Sequence, residues 1–193
     1  MDNMMTSIGK YIIANYAAFG LTAITDLKLT GKPKGNLVNG GKWLTMLAMR
    51  TTPDHTRGVP FNNLFAAGDA YSMTMMGVTA VEPYIVRGER FLTLIEFECK
   101  TRAPDPGKDF FWNTARQFRD KVYNALAGPS RGGLVIPRYD WTDPENPVLA
   151  GEIWFEVDPS RNTPLEDQVE DPNDTANKSI FLTYNTHWFR PVA

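Results

Sequence analysis

The segment Gly35-Asn-Leu-Val-Asn-Gly40-Gly41-Lys42 has the glycines and the lysine of a phosphate-cradling loop. A Walker-type loop requires G-x-x-x-x-G-K followed by Ser or Thr, so that backbone amides hold phosphate and a hydroxyl holds magnesium. Asn36 and Trp43 occupy the first glycine and the hydroxyl positions, so the segment reads as a turn before a strand. His55 follows Asp54 in a proline-flanked loop, and His187 lies between Thr186 and Trp188 in a strand pattern. Neither histidine belongs to an HExxH motif, and CxxC is absent from the sequence. Ser72 and Ser179 belong to no motif. Glu96 and Glu98, and Glu152 and Glu156, are spaced to project in pairs from strands. Paired acids can do general acid–base work. Without a metal or histidine pattern, a polar sheet face is the better reading, and a hydrolase using His187 with a strand carboxylate is the least favoured one. The acids Glu166, Asp167, Glu170, Asp171 and Asp174 could offer oxygens to calcium, but their spacing lacks the alternate ligands and turn glycine of an EF-hand. Arg116, Arg119 and Lys121 could touch phosphate, but Asp120 interrupts them, as on an ordinary solvated helix face. The residues lead to no catalytic, cofactor-binding or metal-binding set.

Such residues must be held by a fold, and the composition bounds it. The chain has 193 residues, 42% hydrophobic and 22% charged, with a net charge of −2. That suits one globular domain with its own core and excludes a simple, strongly basic nucleic-acid binder. No window approaches the roughly 18 apolar residues of a membrane helix, and Met1 to Met5 do not begin a secretory signal pattern. The single cysteine, Cys99, makes neither an internal disulfide nor a multi-cysteine zinc site.

Met5, Ile8, Ile12, Tyr16 and Phe19 recur at helical spacing, with Asn3 or Thr6 as cap and Gly20 as stop. Thr22 to Thr30 is weakly strand-like. Lys42 to Thr52 is a predicted strand with Trp43, Thr45, Leu47 and Met49 on one side. Tyr71, Met73 and Met75 alternate in the first limb of a strand pair over residues 70–100. The second limb sets Phe91, Thr93, Ile95, Phe97 and Cys99 against Leu92, Leu94, Glu96, Glu98 and Lys100. A second helix carries the stripe Phe111, Ala115, Phe118, Val122 and Leu126, capped by Asp105 or Asp109 and stopped by Gly128-Pro129. Strands follow over Leu134–Trp141, Val148–Val157 and Ile180–Phe189, with the proline-rich, acidic stretch 159–179 predicted as a mobile loop. The expected fold class is α+β: an antiparallel β-sheet with two amphipathic helices on one face, plus extended loops. Residues 1–193 form a single domain, with 31–90 as an insertion or extension.

Aromatic residues and methionines exceed what two helices and a modest sheet need. Trp43, Phe61, Phe65, Tyr71, Tyr84, Trp141, Trp154, Trp188 and Phe189 are spread over strands and loops, and Met73, Met75 and Met76 cluster. Such enrichment marks subunit interfaces. The interface candidates are Trp43, Met73, Met75, Trp154, Trp188 and Phe189. A glycan- or peptide-binding β-rich module using Trp43, Trp141 and Trp154 is an alternative of another class.

The order of helix, strands, second helix and terminal strand pair resembles the tail terminator family of long-tailed bacteriophages. Thr6–Phe19, Phe91–Lys100, Asp109–Gly128 and Ile180–Phe189 carry the resemblance. It implies a non-enzymatic virion protein, made in the host cytoplasm, that forms a hexameric ring at the phage neck. Such a ring caps the tail tube, ends tail polymerisation and joins tail to head. Its implied partners are copies of itself, the tail tube protein and a head completion or connector protein. DNA would pass through the channel without specific binding, no membrane would be involved, and no cofactor is implied. In such a ring Glu166, Asp167, Glu170, Asp171 and Asp174 could face the channel and repel DNA phosphates. Another neck, minor tail or connector protein is the nearest alternative.

Overall fold

The computed structural model describes residues 2–28, 37–53, 88–109, 112–129, 131–158, 160, 162–172 and 174–191. Helix α1 spans Asp2–Ala14 and buries Met4, Ile8 and Ile12, four residues apart on one face. The helix starts ahead of the expected caps, because the Asn3 side chain serves another element, and it ends before Tyr16 and Phe19. Phe19 still reaches the core from the turns that follow. The weak strand over Thr22–Thr30 is mostly a turn. The Asp26 carboxylate accepts the Thr22 and Ala23 N–H groups, both at 3.0 Å, and curls the chain into a 3-10 turn over Ile24–Asp26. Among the described residues of this segment, β1, Leu27–Lys28, is extended.

The other strands are β2 (Lys42–Pro53), β3 (Gly88–Arg102), β4 (Val135–Asp140), β5 (Val148–Phe155), β6 (Leu165–Glu170) and β7 (Asn177–Pro191). The fold is α+β. The sheet order is β1-β2-β3-β7-β5-β4, and β6 also pairs with β7. All pairings are antiparallel except β1 with β2, so the sheet is mixed, unlike the expectation. Strand β7 runs beside β3 along its whole length, and its other edge is shared by β6 and the end of β5. The first limb expected over residues 70–87, with Met73 and Met75, lies outside the described residues, as does His55.

The acidic stretch expected as a loop contains β6, in register with β7 from Leu165 opposite Thr183 to Glu170 opposite Lys178. Every β6 residue is exposed, so this edge strand needed no apolar alternation to form. Backbone pairing holds it, together with cations from other elements. The Arg119 guanidinium meets Glu166 at 2.5 Å, Lys100 lies 3.9 Å from Asp171, and Arg102 pairs with Asp174.

Helix α2 spans Asn113–Ala127 and buries Ala115, Phe118, Val122 and Leu126 of the expected stripe; Phe111 lies outside the described residues. Asp109 Oδ1 accepts the Thr114 N–H at 3.3 Å, satisfying one first-turn donor. Asp105 instead pairs with Lys108 at 2.8 Å. After the helix the chain runs back against β5 at Gly133, which has φ +110°. A Cβ there would lie 1.7 Å from the Phe155 carbonyl oxygen, so only glycine fits.

Both helices share one core with the inward side chains of the sheet. Pairing aligns Leu44 with Cys99, Cys99 with Ile180, Met46 with Phe97, and Phe97 with Leu182. At the centre Phe97, Phe155 and Tyr184 meet with ring centroids 5.9 to 6.1 Å apart. Helix α1 also covers the outer edge of β4. Ser7 Oγ accepts the Tyr139 N–H at 3.0 Å and Asn3 Oδ1 accepts the Trp141 N–H at 3.3 Å. These bonds satisfy donors that would otherwise invite another strand.

Candidate interaction face

The pleat of β3 turns Leu92, Leu94, Glu96, Glu98 and Lys100 away from the core, and the register extends these positions into rows across the sheet. One row reads Leu47, Glu96, Thr183, Leu165 across β2, β3, β7 and β6. The next reads Thr45, Glu98, Phe181, Asp167, and the third Trp43, Lys100, Ser179, Val169. At the other end Thr52, Leu92, His187, Trp154 and Val135 align across β2, β3, β7, β5 and β4. None of these outward residues belongs to the core cluster.

Two buried carboxylates stitch this face together. Glu98 accepts hydrogen bonds from Ser179 Oγ at 2.7 Å and Thr45 Oγ1 at 3.2 Å. Glu156 Oε2 accepts one from Asn185 Nδ2 at 2.9 Å and lies 3.3 Å from His187 Nε2. The Trp154 ring stacks on His187 with centroids 4.8 Å apart. The structure thus brings His187 and Glu156 together, and Trp154 beside them. Sequence reasoning missed Asn185, Thr45 and Ser179 as their partners. Strand alternation puts Asn185 and His187 on one face, but not which carboxylate meets them.

The cluster orders side chains that already have partners. Cys99 lies on the opposite, core face, and burial raises its thiol pKa far above the ordinary value, so it remains a protonated packing group. Among the described residues no three His, Cys, Asp or Glu side chains gather into a metal-holding group, and no helix is long and apolar enough to cross a membrane. This face is a patterned surface of apolar, hydroxyl and charged groups.

The remaining candidates divide. Trp43 is half-buried on this face. Trp188 is a correction, because it is buried within its own chain, stacked on Phe91 at 4.7 Å and donating its indole N–H to Thr93 Oγ1 at 2.9 Å. Phe189 lies on β7 opposite Arg90. Trp141 is held by Ser7 Oγ at 2.9 Å, with Lys10 over its ring, and Trp154 donates to the Gly132 carbonyl at 3.2 Å. Of the acids, Glu166, Asp171 and Asp174 are ion-paired, while Asp167 and Glu170 sit on exposed β6. Large apolar side chains are exposed at Leu47 (56%) and Met49 (54%) on β2, at Leu165 and Val169 on β6, and on the β4–β5 hairpin at Val135 (51%), Val148 (66%) and Leu149 (62%).

Compared with known proteins, the chain matches no family model, no curated protein and no solved structure.

Proposed function

We propose that the chain is a structural subunit rather than an enzyme, and that it closes head-to-tail with copies of itself into a ring at the neck of a long-tailed bacteriophage. The carrying observation is the position of the exposed apolar side chains. Leu47 and Met49 lie on β2, toward one side of the sheet; Val135, Val148 and Leu149 on the β4–β5 hairpin, with Leu165 and Val169 on β6, lie beyond β7 toward the other. A ring built from a heterologous contact needs two different, complementary surfaces on each subunit, whereas a two-fold dimer needs one surface matched to itself. Two separated apolar strips suit the first arrangement.

On this reading the two helices form a layer on the core face and leave the outward rows for neighbours. The covered β4 edge then makes continuous strand pairing through that edge unavailable, so side chains rather than backbone carry the contact there. A hexamer, contacts with a tail tube protein and a head completion protein, and a virion location follow from the resemblance to tail terminators. Asp167 and Glu170 are the acids best placed to repel DNA in a channel, since the other three are neutralised by cations. The test is electron microscopy of negatively stained protein, alone and mixed with tail tubes. Rings seated at tube ends support the proposal. Rings bound only to the head side favour another neck protein, and protein that stays monomeric with both partners contradicts it.

A further inference from the structure

Between α2, the start of β2 and the turn at Gly20 lies a cavity of about 150 Å³. Lys42 from β2 and Lys121 from α2 both line it, with Thr101, Thr114, Gln117 and the ring of Phe118. No carboxylate lines the cavity, and neither lysine forms an ion pair among the described residues, whereas Lys100, Arg102 and Arg119 elsewhere are each matched by an acid. Lys42 sits partly buried, with its ammonium 5.8 Å from the centre of the Phe118 ring. The Lys121 stem lies against Gly20, where an added Cβ would come within 2.6 Å of it, so the absence of a side chain at Gly20 makes room for this lysine. Burial and the neighbouring Lys121 charge both lower the pKa of Lys42, and Asp26 offsets this only in part. Two like charges drawn to one recess is an arrangement that an anion between them would relieve.

We propose that the Lys42–Lys121 cavity binds a small tetrahedral dianion of the phosphate class. The volume decides the size of the ligand. Pockets for whole organic ligands run from roughly 300 Å³ upward, and one water takes about 30 Å³. The space therefore holds a phosphate group with several waters. The lining decides the chemistry: Lys42 and Lys121, together with the polar residues Thr101, Thr114 and Gln117. Backbone amides do not contribute as in a phosphate loop, because the Gly40 N–H already donates to the Arg102 carbonyl and the Gly41 N–H to the Val38 carbonyl. Lys42, set aside in the sequence because the loop spacing failed, binds on this account through its side chain. The inference is independent of ring assembly.

The test is titration of the full chain with inorganic phosphate, followed by backbone amide NMR at constant ionic strength. Acetate and chloride serve as controls. Saturable shifts centred on residues 42, 101, 114, 117 and 121, with acetate at least ten-fold weaker, are the expected result. Lys121→Gln, on an exposed helix face and so compatible with folding, should weaken phosphate binding ten-fold or more, and Lys42→Gln should do the same. Shifts that do not saturate, equal responses to acetate and phosphate, or unchanged binding in both variants would overturn the proposal.

Discussion

Ile95, Phe97 and Cys99 alternate along β3 with Leu94, Glu96 and Glu98. The first three are wholly buried against both neighbouring strands and the helices. The second three lie on a face where carboxylates, hydroxyls and leucines share the same rows. The two sides of one strand thus carry different duties. The inward rows specify the fold by packing volume, where each missing methylene is felt. The outward rows are held in place by hydrogen bonds, and their apolar members contribute little to the stability of the single chain.

This contrast can be broken most strongly on the inward side. Phe97→Ala removes the ring that meets both Phe155 and Tyr184 and should cost about 3–5 kcal/mol, read as a lower denaturant midpoint. Leu47→Ala on the outward face should cost under about 0.5 kcal/mol. Comparable losses for the two variants would mean that the outward face is also core.

A smaller effect sharpens the inward half. The Tyr184 hydroxyl is buried and finds no hydrogen-bond partner among the described residues. Tyr184→Phe removes that cost while keeping the ring, and should raise stability by about 1 kcal/mol. A loss of similar size would show that the hydroxyl has a partner.

The sequence carried the inward rows well, since apolar alternation in β3 and β7 and the helical stripe of α2 are direct records of burial. It carried the exposed edge poorly. Strand β6 is exposed throughout, so nothing in its pattern distinguished it from an acidic loop; its strand state depends on hairpin pairing with β7 and on Arg119, which is remote in sequence. The shift from Met5 to Met4 in α1 has a similar cause. The helix is tied to β4 through Asn3 and Ser7, and that tie sets which face turns inward. The Glu156–His187 pair required a register that no local spacing encodes, although His187 and the strand acids were each visible.

The smallest expected effect concerns the covered β4 edge. Hydrogen bonds from Thr142, with another from Asn3, hold the Asp140 carboxyl below its ordinary pKa. A lowered folded pKa contributes stability that is present above the unfolded value near 3.8 and is lost as pH falls through the folded value. The small stability difference between wild type and Asp140→Ala should therefore be full near neutrality and close below that range. A difference that does not change with pH would assign the effect to packing instead.

The central claim, that two distinct strips join copies into a ring, is tested most directly by mixing two variants and measuring mass by sedimentation. Leu47→Glu blocks one strip and Leu149→Glu the other. Wild type should form a closed oligomer, each variant alone should not, and the mixture should stop at dimers, because only one intact pair of strips remains. Closed oligomers from either variant alone, or a mixture that stays monomeric, would contradict the account.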